Sequence, residues 1–216
     1  MQADTNEEFL LKLLQAEVVN REIIRKKRLL KNAEFDVIKT FQDYSFDNIE
    51  IPKSISIETI QKASFIGNKE NLILYGAVGT GKTHMATAIG VQACNQGKEV
   101  KFIRTASLVN QLSEAKASGS LKKYIKKIQN CELLIFDEWG YVPFEKEGAQ
   151  LLLQIISECY EKRSVIITTN LQFSQWNGIF YDEKMTSAII DRLIHHSHLL
   201  IFDGPSYRLK HSTINC

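Results

Sequence analysis

From Asn71 onward, short apolar runs alternate with longer segments of helical periodicity. Leu72–Tyr75, Val100–Ile103, Leu133–Phe136, Val165–Thr168 and Leu199–Phe202 have the length and composition of strands buried on both faces. Helical segments over Lys82–Asn95, Ala106–Lys116 and Ala149–Tyr160 fall between them. This alternation predicts an α/β domain with a five-stranded, mostly parallel sheet and helices on both faces. Ahead of it, Asn6–Lys31 contains neither Gly nor Pro and reads as one long helix. Leu10, Leu13, Leu14, Val18 and Ile24 recur at helical spacing there, predicting an apolar stripe opposite a charged face. Residues 32–54 read as irregular, punctuated by Pro52, and 55–64 as helical. The expected division is an N-terminal helical extension and linker over 1–54 and a core domain over 55–216.

Composition narrows this picture. The hydrophobic (44%) and charged (24%) fractions are those of an ordinary globular protein, and no apolar run approaches a bilayer-spanning length. The acidic start, with no basic and apolar leader, points to the cytoplasm and away from a membrane. Cys94, Cys131, Cys159 and Cys216 are widely spaced and read as reduced packing residues. The net charge of +2 is unevenly placed. Residues 21–31 hold six basic side chains and one acid, so the remainder sums to −3. Such a basic run suits either a polyanion or a solvated helix face.

The chemistry gathers at the predicted strand ends, where parallel sheets bind ligands. Residues 76–83, Gly76-Ala77-Val78-Gly79-Thr80-Gly81-Lys82-Thr83, join the first strand to a helix opening with His84. This is the setting a G-x-x-x-x-G-K-[ST] phosphate loop requires. Its glycines bring backbone N–H groups close to phosphate oxygens at a helix N-terminus. Lys82 would reach the β- and γ-phosphates of ATP, and the Thr83 hydroxyl would hold Mg2+. The third strand ends in Asp137-Glu138. Asp137 suits the Mg2+ shell and Glu138 the polarisation of an attacking water. The fourth ends Thr168-Thr169-Asn170, placing Asn170 where it could position that water.

Together these motifs resemble the nucleotide motifs of AAA+ ATPases, a P-loop NTPase group. With Asp191-Arg192-Leu193-Ile194-His195-His196-Ser197 and Gly204-Pro205-Ser206-Tyr207-Arg208, they resemble the IstB family more narrowly. Thr40-Phe41-Gln42-Asp43-Tyr44 and Leu108-Val109-Asn110-Gln111-Leu112 strengthen that likeness. The family comprises ATP-dependent helpers of insertion-sequence transposases and is similar to the DnaC and DnaI helicase loaders. The resemblance implies an AAA+ core acting as a Mg2+-dependent ATPase, with Asn170 as a sensor of the γ-phosphate. It also implies Arg192 as an arginine finger acting in trans within a homo-oligomer, and Arg208 facing the nucleotide. Fourteen residues follow Phe202, too few for a helical lid domain. The N-terminal extension is shorter than in typical members.

The same resemblance implies duplex DNA and a transposase, or a replicative helicase, as partners. Candidate phosphate contacts are Arg25, Lys26 and Arg28 in the basic run and Lys122, Lys123, Lys126 and Lys127 further on. Leu121, Ile125 and Ile128 share one helix face there, leaving the lysines outward. His195, His196 and His198 give no ligand geometry by adjacency alone and read as packing or signature residues. Trp139 and Tyr141 read as packing beneath the site, and Phe173 and Trp176 as the core of a short helix. Three further functions remain open: a helicase loader, a small-molecule P-loop kinase, and a DNA-binding scaffold with structural ATP. Glu138 and Arg192 favour hydrolysis at a subunit interface over phosphoryl transfer.

Overall fold

The structure is a computed structural model describing residues 5–42, 44–141, 143–180 and 182–210. Its sheet follows the order β1-β6-β2-β5-β4-β3. The strands are β1 (Ile49–Glu50), β2 (Asn71–Gly76), β3 (Val100–Arg104), β4 (Leu133–Asp137), β5 (Ser164–Thr169) and β6 (Ser197–Phe202). The five expected strands are all present and mutually parallel. The expected count of five is corrected to six, because Ile49 and Glu50 pair antiparallel with Phe202 and Ile201. Two residues carry no readable alternation, and they form a strand only because the outer edge of β6 offers unpaired backbone groups.

Side chains alternate off the strands into two apolar layers. Leu72, Leu74, Leu133, Ile135 and Ile166 join Met85, Ala86, Ile89 and Ala93 of α3 (Lys82–Asn95) on one face. Leu134, Phe136, Val165 and Ile167 pack on the other. There they meet α4 (Thr105–Ala117), α5 (Leu121–Gln129), α6 (Lys146–Cys159) and α7 (Glu183–Ile194). The expected helix over 55–64 divides into α2 (Ile57–Gln61) and a 3-10 turn, Ser64–Asn68, separated by left-handed Ala63 (φ 51). Cys94 and Cys159 are buried in these layers and Cys131 partly so; all three are free thiols. Cys216 lies outside the described residues. No described helix is long and apolar enough to cross a membrane.

α1 (Asn6–Ala33) forms over the expected span, with the Thr5 hydroxyl accepting from the Glu8 amide at its start. Its apolar stripe does not face the core. Leu10, Leu13, Leu14, Val18 and Ile24 are each more than half exposed, and only Leu29 and Ala33 of the helix are buried. Helical spacing shows that a face exists but not what covers it. Beyond β6 the described residues add only α8 (Tyr207–Lys210).

Candidate active site

The loop between β2 and α3 has the geometry its glycines permit. Gly79 has φ 83, and a Cβ there would lie 2.2 Å from the Ser206 Oγ. Gly81 has φ 99 where it begins α3. Both conformations are strained for residues with a Cβ. Thr80 closes the turn by donating to the Ala77 carbonyl (2.8 Å), and Val78 is half exposed at its crest. Lys82 Nζ folds back onto the Gly76 and Ala77 carbonyls (2.7 and 2.6 Å), which hold its ammonium at the loop. Burial lowers the Lys82 pKa to about 8; attraction to Asp137 opposes this, and repulsion from Arg208 adds to it. Arg208 therefore lies within electrostatic range of Lys82. The backbone fixes its element there, since the Tyr207 amide donates to the Gly79 carbonyl (2.9 Å).

The loop and the acids meet directly. Thr83 Oγ1 donates to Asp137 Oδ1 (2.9 Å) although β5 lies between β2 and β4 in the sheet. Asp137 is 3% exposed. Thr168 Oγ1 donates to the same carboxylate oxygen (2.5 Å) and accepts from the Glu138 amide (3.0 Å). Glu138 has left-handed backbone (φ 57), a conformation that costs a non-glycine residue about 1–3 kcal/mol where the surroundings impose it. This kink lets Asp137 point inward, Glu138 remain exposed and Trp139 turn into the core. Trp139 is buried against Phe136, Trp176 and Phe180, with ring centroids 5.5 to 6.0 Å away. Tyr141, expected beneath the site beside it, is exposed instead, because the chain turns at Gly140 (φ 85). Phe173 stays partly buried while Trp176 is fully buried, on the 3-10 turn Phe173–Gly178.

Two contacts at the site involve residues to which the sequence assigned no role. The first is Thr168, which touches both acids, whereas the neighbouring Asn170 stands exposed one residue past β5. The second is the segment read as irregular. Phe41, Tyr44 and Phe46 cluster with centroids 5.2 to 5.9 Å apart. The Tyr44 hydroxyl donates to the Gly81 carbonyl (3.3 Å), and its ring lies 4.9 Å from His84. His84 Nε2 is in turn 2.8 Å from the Thr40 carbonyl oxygen. Three aromatics within six residues were the available signal. Asp43 lies outside the described residues.

Arg192 lies at the other end of the sheet. The Asn71 amide and side chain donate to the carbonyls of His196 (2.7 Å) and Leu193 (3.2 Å), tying the end of α7 to the start of β2. The phosphate loop begins where β2 ends, five residues on and about 16 Å away at strand rise. The Arg192 guanidinium donates to the Ala188 carbonyl of its own helix (2.8 Å). Arg192 is thus placed away from the Lys82–Asp137 cluster of its own chain.

The basic candidates are all exposed. Lys122, Lys123, Lys126 and Lys127 line the outer face of α5, whose Ile125 and Ile128 are buried. Lys26 and Arg28 face solvent on α1, while Arg25 donates to the Gly97 carbonyl (3.0 Å).

A family model described as IstB-like ATP binding protein matches residues 2–214. The insertion sequence IS5376 ATP-binding protein of Geobacillus stearothermophilus is 36% identical over 203 residues, covering 94% of this chain and 81% of that protein. The corresponding IS21 protein of Pseudomonas aeruginosa is 36% identical over 204 residues, covering 94% and 77%. The crystal structure of DnaI shares the fold with a TM-score of 0.61 at 17% identity, covering 84% of this chain and 93% of that one. AMPPCP-bound DnaA from Aquifex aeolicus matches with a TM-score of 0.62 at 19% identity, over 79% of this chain. This chain spans about half of that DnaA chain, 52%.

Proposed function

Because this chain belongs to the IstB-like ATP binding protein family, we propose that it binds Mg-ATP and hydrolyses it at sites shared between neighbouring copies assembled on duplex DNA. On this reading the assembly regulates or recruits the transposase of an insertion sequence; its relatives are named as ATP-binding proteins of insertion sequences. One observation carries the nucleotide site: Thr83 and Asp137 meet at 2.9 Å beside the Lys82 loop. A hydroxyl and a carboxylate are hard oxygen donors suited to Mg2+, which when bound would offset phosphate charge.

Each residue then has a task the geometry permits. Lys82 exchanges its carbonyl partners for the β- and γ-phosphate oxygens. Thr83 and Asp137 hold the cation. Glu138 polarises a water for attack on the γ-phosphorus, receiving its proton as the bond to the ADP oxygen breaks. Thr168 keeps both acids aligned. Asn170 is assigned to the γ-phosphate and Arg208 to the phosphate tail. Arg192, at the far end of its own sheet from the phosphate loop, acts in a neighbour's site, which favours a head-to-tail assembly. The lysines of α5 and the basic residues of α1 supply sequence-independent phosphate contacts.

Phosphate release from ATP, measured with and without duplex DNA, tests the reading. Release is expected in the presence of Mg2+ and should rise when DNA is added. No release under either condition would reject hydrolysis.

The Lys82 pKa adds a pH signature. Phosphate binds the protonated ammonium and raises its pKa, so binding takes up a proton wherever Lys82 is neutral in the free protein. ATP affinity should be level up to about pH 8 and then fall, at most about tenfold per pH unit. Calorimetric titration between about pH 7 and about pH 9.5 reads this directly. Constant affinity across that range would show that no titrating Lys82 is coupled to phosphate binding there.

A further inference from the structure

At the end of the sheet away from the phosphate loop, three metal-ligating side chains converge from two connections. Glu161 sits in the turn between α6 and β5, and His195 and His196 follow the end of α7. Each offers one ligand atom, and the three atoms lie within 4.8 Å of one another. The two histidines alone gave no ligand geometry in the sequence; the carboxylate that completes the set is distant in the chain. All three residues are exposed, so an ion from solvent can reach them.

The local chemistry favours a cation. His196 Nε2 is 3.6 Å from Glu161 Oε1, and the two imidazole centroids are 4.1 Å apart. The Tyr160 Oη lies 2.9 Å from His195 Nδ1. With the tyrosine oxygen assigned as acceptor, Nδ1 carries the proton and Nε2 presents its lone pair. Histidine ligands are commonly oriented through such a bond at the other ring nitrogen. The site also follows the C-terminus of α7, where the helix dipole favours positive charge.

We propose that Glu161, His195 and His196 bind one divalent transition-metal ion of the Zn2+ type, with solvent completing the coordination. Bonds of about 2.0–2.1 Å place tetrahedral ligands ~3.4 Å apart. Exposed side chains on a turn and a helix end can close from 4.8 Å to that spacing by rotation. Two imidazoles and one carboxylate suit Zn2+, Co2+ or Ni2+ and not Mg2+, which separates this site from Thr83 and Asp137. An ion here would fasten the end of α7 to the turn before β5. Arg192 lies on the same helix, three and four residues before the two histidines.

The test is titration of the metal-stripped full chain, without nucleotide and near pH 7.5. Co2+ is followed by visible absorption and Zn2+ by calorimetry. One equivalent is expected, with absorption lacking a sulfur-to-cobalt charge-transfer band. Glu161→Gln and His196→Ala should each weaken binding by about 10-fold or more, and the His195→Ala/His196→Ala double variant should abolish it. Asp137→Asn should leave it unchanged. Circular dichroism checks that the variants fold, and Zn2+ should raise the melting temperature of the wild type and of Asp137→Asn but not of the double variant. Binding retained in the double variant, or no binding by the wild type below millimolar metal, would overturn the assignment. The latter would leave His196–Glu161 as an ordinary surface ion pair.

Discussion

Glu138→Gln is expected to lower ATP turnover by about 10²–10⁴-fold while leaving ATP binding intact. The asymmetry follows from how the two acids are held. The Asp137 carboxylate accepts from Thr83 and Thr168 and is almost fully buried, so replacing it disturbs the loop and the cation site together. Glu138 is fixed through its backbone: its amide donates to Thr168 and its φ is 57, while the side chain faces solvent. Gln preserves that backbone and the side-chain volume and removes the group that takes the water's proton. Phosphate release and equilibrium binding of a fluorescent ATP analogue, measured on the same preparation, separate the two effects. Lost binding would show that Glu138 holds the site together instead of activating water.

The parts of this site that were legible in sequence are those written locally. A phosphate loop needs two glycines separated by four residues, a lysine and a hydroxyl between a strand and a helix, and residues 71–95 spell that out in order. Buried parallel strands are apolar on both faces, so five of the six appeared as uninterrupted runs. Asp137 and Glu138 stood out because two acids ended such a run.

What escaped depends on partners distant in the chain. β1 exists only through its pairing with Phe202 and Ile201. Thr168 looked like one of two adjacent threonines until strand order placed it beside both acids. Tyr44, on the Gly81 carbonyl, and Ser206, beneath Gly79, approach the loop from opposite ends of the sequence. The stripe on α1 shows the converse. Its periodicity was correctly read as a helix, yet the helix leaves most of that face uncovered. Glu161 had no visible reason to be grouped with His195 and His196, since only folding brings the turn before β5 to the end of α7.

Arg192→Ala is expected to reduce turnover on DNA by about 10³–10⁵-fold, the range for removing a trans arginine finger. Leu193, the residue after Arg192, accepts from Asn71 at one end of β2, and the phosphate loop is at the other, so its own site is beyond reach of the Arg192 side chain. Complementation tests the shared site most directly. Arg192→Ala subunits keep Glu138 but lack the finger; Glu138→Gln subunits keep the finger but lack the base. Each preparation alone should be nearly inactive. When the two are mixed on duplex DNA, an intact site forms wherever the Arg192 of a Glu138→Gln subunit enters the site of an Arg192→Ala subunit. Phosphate release from the mixture should therefore recover to a substantial fraction of the wild-type rate. No recovery, with mixed assemblies verified by cross-linking, would contradict an ATP site shared between neighbouring copies.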